Sequence, residues 1–218
     1  MTIRGRQHVA GEVGIRASWD DTYVRAETPE RMLRWVTTNH PLMVPLLHCR
    51  RVLEVGTGTG MLSGFLALVG VQVTTIDLSE AVLGVASRFY DQLGVRVRTV
   101  QGDGAATGFE ANTFDAVFSQ GLWEHFEDKG VRDFAAEGLR LAPLVYTSIP
   151  SVAYPRIGHR GPGLVGNERF LSASRWKQIL VPLDASVSAR YYADWKILTV
   201  IGATLPYPNH LLLELHRR

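Results

Sequence analysis

Three carboxylates in the first half of the chain each close a short apolar run. Glu54 stands in RRVLEVG, Asp77 in VQVTTIDLS and Asp103 in VRVRTVQGD. Just after the first lie glycines at every second position, Gly56, Gly58 and Gly60. Glycine loses more backbone entropy on folding than any other residue, so this spacing marks a backbone that turns sharply or is approached closely. Asp77 follows Gly56 by 21 residues, where a carboxylate can accept hydrogen bonds from both hydroxyls of a ribose. Asp103 is placed to meet the exocyclic amine of an adenine. A dinucleotide fingerprint would need its third glycine at position 61, which is Met61. Read one at a time, the glycine run is also a plain turn and Asp77 also a helix-initiating cap.

The elements that would position these residues follow from pattern. Thr28, Pro29 and Glu30 open a helix with an apolar face from Met32, Leu33, Trp35 and Val36, which Pro41 and Pro45 then break up. RRVLEVG reads as a buried strand and MLSGFLALVG as a short helix stopped by Gly70. After the strand VQVTTIDLS, Ser79 caps a helix with apolar residues at 82, 85, 86, 89 and 93, ended by Gly94. VRVRTVQGD and FDAVFSQ are strands, DKGVRDFAAEGLRLA a helix and PLVYTSIP a fifth strand. SASRWKQIL is a further helix; SARYYADWKILTVIG and HLLLELHRR are two final strands, the last antiparallel. Strands alternating with helices imply right-handed crossovers and a parallel sheet covered on both faces. The expected fold is α/β: a doubly wound, Rossmann-like, mostly parallel seven-stranded sheet with an antiparallel last strand.

VLEVGTGTG, VTTIDLS, VQGDG and FDAVFSQGLWEHF, in that order and at these separations, resemble the Rossmann-like (class I) S-adenosylmethionine-dependent methyltransferases. The resemblance is good over roughly residues 50–150 and rests on element order elsewhere. It implies S-adenosyl-L-methionine as cofactor. Gly56, Gly58 and Gly60 would pass under its methionine portion, where no pyrophosphate needs cradling. Glu54 would help fix its amino end, Asp77 the ribose, Leu78 a face of the adenine, Asp103 and Gly104 the adenine edge. The backbone of Gln120 would hold the methionine ammonium. The resemblance also implies one domain over 1–218, with an N-terminal arm and helical cap (1–49), a cofactor-binding core (50–150), and a substrate lid with the last strands (151–218).

Methyl transfer needs an acceptor brought into line and, for some acceptors, a base. In GLWEHFED, Glu124 and His125 follow the fourth strand and face the methyl side in related enzymes. His125 is the candidate catalytic base, its type being suited to proton transfer near neutral pH; the alternative is a structural Glu-His pair. Trp123 is read as packing or a pocket wall. His159 is a second base candidate, against a surface-loop histidine, and Trp19, Tyr23 and His40 are read first as core aromatics. Residues 152–170 are expected to form a lid, with Tyr154, Arg156, His159, Arg160 and Arg169 selecting a polar or anionic acceptor. Asp20, Asp21, Glu127 and Asp128 read as solvated turn residues. No His/Cys/Asp cluster has metal-ligand spacing, so no catalytic metal is expected.

Bulk properties narrow the class. At 218 residues, 46% apolar and 20% charged, the chain fits a globular protein with a real core. No stretch has the length of a membrane-spanning helix, the N-terminus lacks a signal-peptide apolar core, and the one cysteine, Cys49, cannot pair within the chain. A cytoplasmic protein is therefore expected. A net charge of +2 carries no general demand for nucleic acid. The strand-four motif SQGLWEH also lacks the N/D-P-P-Y/F/W pattern of base amino-methylation. The leading expectation is a methyltransferase for a small-molecule acceptor, with no nucleic acid or membrane partner. The alternatives are a protein or RNA methyltransferase, for which Arg156, Arg160, Arg169 and Arg175 speak in part, and a non-catalytic cofactor-binding subunit. The acceptor atom and the oligomeric state are not legible.

Overall fold

The computed structural model describes residues 27–152, 168–192, 197–200, 203–206 and 208–218. Trp19, Tyr23, the expected N-terminal arm and the lid residues Tyr154, Arg156, His159 and Arg160 lie outside these. The described elements are α1 (Pro29–Thr38), α2 (His40–Leu46), β1 (Arg51–Val55), α3 (Met61–Leu68), β2 (Gln72–Asp77), α4 (Glu80–Leu93), β3 (Arg98–Gln101) and β4 (Ala116–Gln120). A 3-10 turn (Trp123–His125), α5 (Asp128–Leu141), β5 (Leu144–Pro150), α6 (Ala173–Leu180), β6 (Ala185–Tyr192), β7 (Ile197–Val200), β8 (Ala203–Pro206) and β9 (His210–Arg217) follow.

Helix starts obey their caps. Thr28, Ser79 and Ser172 each accept a backbone N–H three residues on, opening α1, α4 and α6. Gly94, left-handed at φ 67°, closes α4. The helical region is broken up as expected, but at Asn39, and both Pro41 and Pro45 lie inside the second helix. Pro41 sits in the first turn of α2, where a missing N–H costs nothing. Pro45 removes one bond from a seven-residue helix that buried Leu42, Met43 and Leu46 hold against the core.

Seven strands form one sheet in the order β3-β2-β1-β4-β5-β9-β6. β3, β2, β1, β4 and β5 run parallel, while β9 is antiparallel to both its neighbours. The expected Rossmann-like sheet with an antiparallel last strand is therefore the fold observed. The stretch 188–202 is not one strand: β6 starts at Ala185 and ends at Tyr192, and β7 pairs with β8 in a separate two-stranded ribbon. Side chains alternate between two cores. Leu53, Val117, Val145, Leu211 and Leu213 pack with α5 and α6 residues such as Val131, Leu139, Trp176 and Ile179. Val52, Phe118, Tyr146 and Leu212 pack with Leu42, Leu46, Leu62 and Leu66 of α2 and α3. This is the period of two demanded by a sheet buried on both faces.

Strand order reverses between β1 and β4, so their carboxyl ends flank a topological switch point, where open α/β sheets bind ligands. Because β9 is antiparallel, its first residue, His210, lies at that same edge, beside Pro150 of β5 and Tyr192 of β6.

Candidate active site

Gly56, Gly58 and Gly60 leave β1 with φ of 77°, 50° and 78°. They therefore occupy left-handed backbone, which glycine adopts without a Cβ clash. The Gly56 N–H donates to Ile76 O at 2.9 Å, keeping the loop on the end of β2. Leu122, from beyond β4, packs where a Gly56 β-carbon would point, so the two loops meet across the switch point.

Asp77 clamps that loop. One carboxylate oxygen accepts Thr57 N–H at 3.0 Å and the other accepts Ser79 N–H at 2.9 Å. The half-buried side chain stands at the strand end, where a carboxylate can accept from a cis-diol. Leu78 beside it is half-buried. Exposed Asp103 accepts Ala105 N–H at 2.8 Å. Gly104 is tightly packed: a β-carbon there would stand 2.2 Å from Val55 Cγ1, so packing alone requires this glycine. Gln120 is half-buried at the end of β4. The carboxylate at β2, the glycine loop at β1 and the second carboxylate beyond β3 are thus brought to one edge of the sheet, at the switch point.

Glu54 is buried rather than presented at the surface of this loop. Its carboxyl accepts from Ser63 Oγ on α3, and burial pushes its pKa up to about 8, against the Ser63 hydrogen bond and with help from the Asp77 charge. Its ordinary value is near 4.5, so its neutral form is favoured in the fold. The stability this lends is complete below about pH 4.5 and is lost as pH rises through about 8. Glu54→Gln, which keeps the neutral shape, is accordingly expected to match the parent protein at pH 5 and to exceed its stability at pH 9 by on the order of 3 kcal/mol. Urea titrations at the two pH values check this, and an equal difference at both would refute it.

After β4, Gly121 turns with φ 67° and donates its N–H to Ser148 O of β5 at 2.8 Å. Trp123 and Glu124 are buried, and Trp123 is a core residue, within the packing reading. His125 and Glu124 are adjacent, with Nε2 and Oε1 4.0 Å apart, both side chains almost wholly enclosed. His40, expected in the core, is exposed, with its ring at Thr37 O.

Asp128 is not a solvated turn residue. It opens α5 and is bound by Arg169 and by Arg175, the latter at 2.7 Å, and the Arg169 hydrogen bond holds its pKa below the usual range. Arg169 also donates to Phe126 O through its guanidinium and, through its backbone N–H, to Glu124 O at 2.9 Å. Of the cationic donors expected to face an acceptor, the one described thus fastens residues 168–170 onto the turn after β4.

A buried polar chain at the same edge had no sequence signal. Asn39, between α1 and α2, donates its amide to Trp35 O at 3.0 Å, which leaves its oxygen to accept Tyr192 O–H at 2.9 Å. With its own proton so committed, the Tyr192 oxygen accepts from Ser148 Oγ. The Tyr192 ring stacks on His210, their centroids 5.1 Å apart. Among the described residues no helix is long and apolar enough to cross a membrane, and no group of three or more His, Cys, Asp or Glu side chains could hold a metal.

With this geometry established, comparison with known proteins gives a consistent picture. A family model described as a methyltransferase domain matches residues 52–142. Protein-L-isoaspartate O-methyltransferase of Methylorubrum populi (strain ATCC BAA-705 / NCIMB 13946 / BJ001) is 32% identical over 151 residues, covering 68% of each chain. In other curated relatives of that name the match spans 49%, 52% and 61% of their length. The fold is similar to that of the PH0226 protein of Pyrococcus horikoshii OT3 (TM-score 0.67, 20% identity, 90% of this chain and 95% of that one). It is also similar to magnesium protoporphyrin IX methyltransferase of Synechocystis PCC 6803 with bound SAH (TM-score 0.57, 18% identity, 98% and 90%). A reversed strand order, a glycine loop at the switch point and a carboxylate at the end of β2, found in a chain with these relatives, lead to one conclusion: it belongs to the Rossmann-like S-adenosylmethionine-dependent methyltransferases.

Proposed function

We propose that this methyltransferase acts on a small-molecule acceptor held at the carboxyl edge of β4, β5 and β6. The observation that carries this reading is the closure of that edge. Asn39, Ser148, Tyr192 and His210 are all buried there, and the helices before β1 are tied to the strands through the Tyr192 hydroxyl. Such a wall suits an acceptor enclosed by side chains more than an open cleft receiving a folded polymer.

In this reading Asp77 receives the ribose hydroxyls, and Leu78 packs on the adenine. Asp103 and the Gly104 backbone meet the adenine edge, Gly56, Gly58 and Gly60 run under the amino-acid tail, and the Gln120 backbone holds its amino end, with Glu54 behind the loop on Ser63. Bound S-adenosylmethionine supplies an electrophilic methyl group on a sulfonium. The protein's share is to fix the acceptor in line with it, to exclude water, and to take a proton where the acceptor carries one, a role open to His125. The second reading is methylation of a protein carboxyl, favoured by the names of the curated relatives. Against it, the match spans only 49%, 52% and 61% of the length of several of those relatives.

Methyl-labelled cofactor incubated with the protein and a cell extract separates the readings. Label in a low-mass product, unchanged by prior protease or nuclease treatment, is the expected result. Base-labile label on protein would establish carboxyl methylation instead, and cofactor binding with no transfer to any fraction would establish a non-catalytic subunit.

A further inference from the structure

Among the described residues, Glu124 carries a carboxyl that the fold encloses and leaves half unused. It is 3% exposed, and its Oε2 has no hydrogen-bond partner. A buried carboxyl oxygen without a partner is costly, and in a native fold such a group marks a place where something else binds. The side chain is folded back toward the sheet: its Oε1 lies 3.6 Å from the point where a Gly121 β-carbon would stand. Gly121 itself bridges the ends of β4 and β5, and Leu122 lies across Gly56 of the glycine loop. Glu124 therefore sits where the β1 loop and the ends of β4 and β5 meet, beside the glycine loop that in the proposed reading runs under the cofactor's amino-acid tail.

One nearby charge acts on it directly. Glu168 approaches from the segment beyond β5, which is pinned to Glu124 through the Arg169 N–H, and its charge acts against ionisation of Glu124. The guanidinium of Arg169 is turned away to Asp128 and Phe126 O. His125 stands next to it on the same turn. Burial first, and then Glu168, push the Glu124 carboxyl up to about 8, while its own backbone N–H works the other way. An entering cation would relieve this arrangement and an anion would worsen it.

We propose that Glu124 is the acceptor-binding carboxyl of this enzyme and that it selects acceptors presenting an amine, with Glu168 adding a second negative charge. This rests on the methyltransferase reading and narrows its acceptor class to amines, in place of the anionic acceptors expected of the lid arginines. For the protons to balance, Glu124 first gives its own proton to solvent as the ammonium enters. An N–H bond of the bound ammonium then breaks and an O–H bond forms on Glu124, which leaves a neutral amine whose lone pair is free to attack.

The test needs no knowledge of the acceptor. Sinefungin, an analogue of the cofactor, carries an amine where the transferred methyl would stand, whereas S-adenosylhomocysteine has nothing there. Calorimetric titration of both ligands into the full chain is expected to show sinefungin binding at least about 10-fold more tightly. In Glu124→Gln that preference should fall to about 2-fold or less, with S-adenosylhomocysteine affinity unchanged. Glu168→Gln, at a half-exposed position, should reduce the preference in part. An undiminished preference in both variants, or none in the parent protein, would overturn the proposal. Failure of the parent to bind S-adenosylhomocysteine at all would overturn the methyltransferase reading itself, a separate outcome.

Discussion

Asp77→Ala is expected to weaken S-adenosylhomocysteine binding by at least about 100-fold, the largest functional effect of any single substitution at this site. Two losses combine. The first is the pair of hydrogen bonds proposed from the ribose hydroxyls to the carboxylate, each of the charge-assisted kind and worth about 1.5–3 kcal/mol. The second is the clamp: Asp77 holds Thr57 N–H with one oxygen and Ser79 N–H with the other, so alanine frees the glycine loop from the start of α4. A ligand must then order that loop as it binds, which lowers its affinity further. Asp77→Asn separates the two contributions. It keeps one acceptor oxygen for a backbone amide but loses the charge and one acceptor, so its affinity should fall between the two. Calorimetry with S-adenosylhomocysteine measures this directly. Unchanged affinity in a folded Asp77→Ala protein would remove the carboxylate from the site.

Local pattern carried most of the parallel half of the fold. The strands from β1 to β4 are short runs ended by an acid or followed at once by glycine, and the caps at Thr28, Ser79 and Ser172 are one-residue signals that the backbone obeys. The three carboxylates were legible for the same reason, since strand ends can be placed to within a residue or two. What sequence could not convey was which of them the fold would bury. Glu54 and Asp77 look alike in sequence, yet one faces Ser63 in the interior and the other faces two backbone amides at the edge. Glu124 was legible as one of a Glu-His pair after the fourth strand, but its burial was not, because what encloses it comes in part from residues 168–170, more than forty positions on. The hydrogen bond from Tyr192 to Asn39 spans 153 positions, and no local pattern can announce such a contact. Arg169 was misread because composition shows a cation but not the Asp128 that claims it.

The largest effect on the fold itself is expected at Gly60. Gly60→Ala adds two penalties at the loop's exit into α3. The position is left-handed, at φ 78°, which costs a residue with a β-carbon about 1–2 kcal/mol. The added carbon would also stand 2.7 Å from Tyr90 Oη and 2.8 Å from Cε1 and Cζ of the same ring. Tyr90 cannot move aside cheaply. It is 3% exposed, and its ring also lies against Gly64, where a β-carbon would touch Cδ1 at 3.6 Å. Overpacking of a buried ring costs about 1–3 kcal/mol, so the total should be about 2–5 kcal/mol, a large part of the stability of an ordinary domain. The clash term belongs to the pair and the backbone term to Gly60 alone. Combining Gly60→Ala with Tyr90→Leu should therefore recover the clash and leave the left-handed cost, giving a coupling of about 1–3 kcal/mol in a double-mutant cycle. Tyr90→Phe should recover less, because the ring carbons remain while only the hydroxyl, buried without a partner, is removed. Urea unfolding of the four proteins measures the cycle. Strictly additive costs would mean that Tyr90 yields without resistance, and that backbone conformation alone keeps position 60 a glycine.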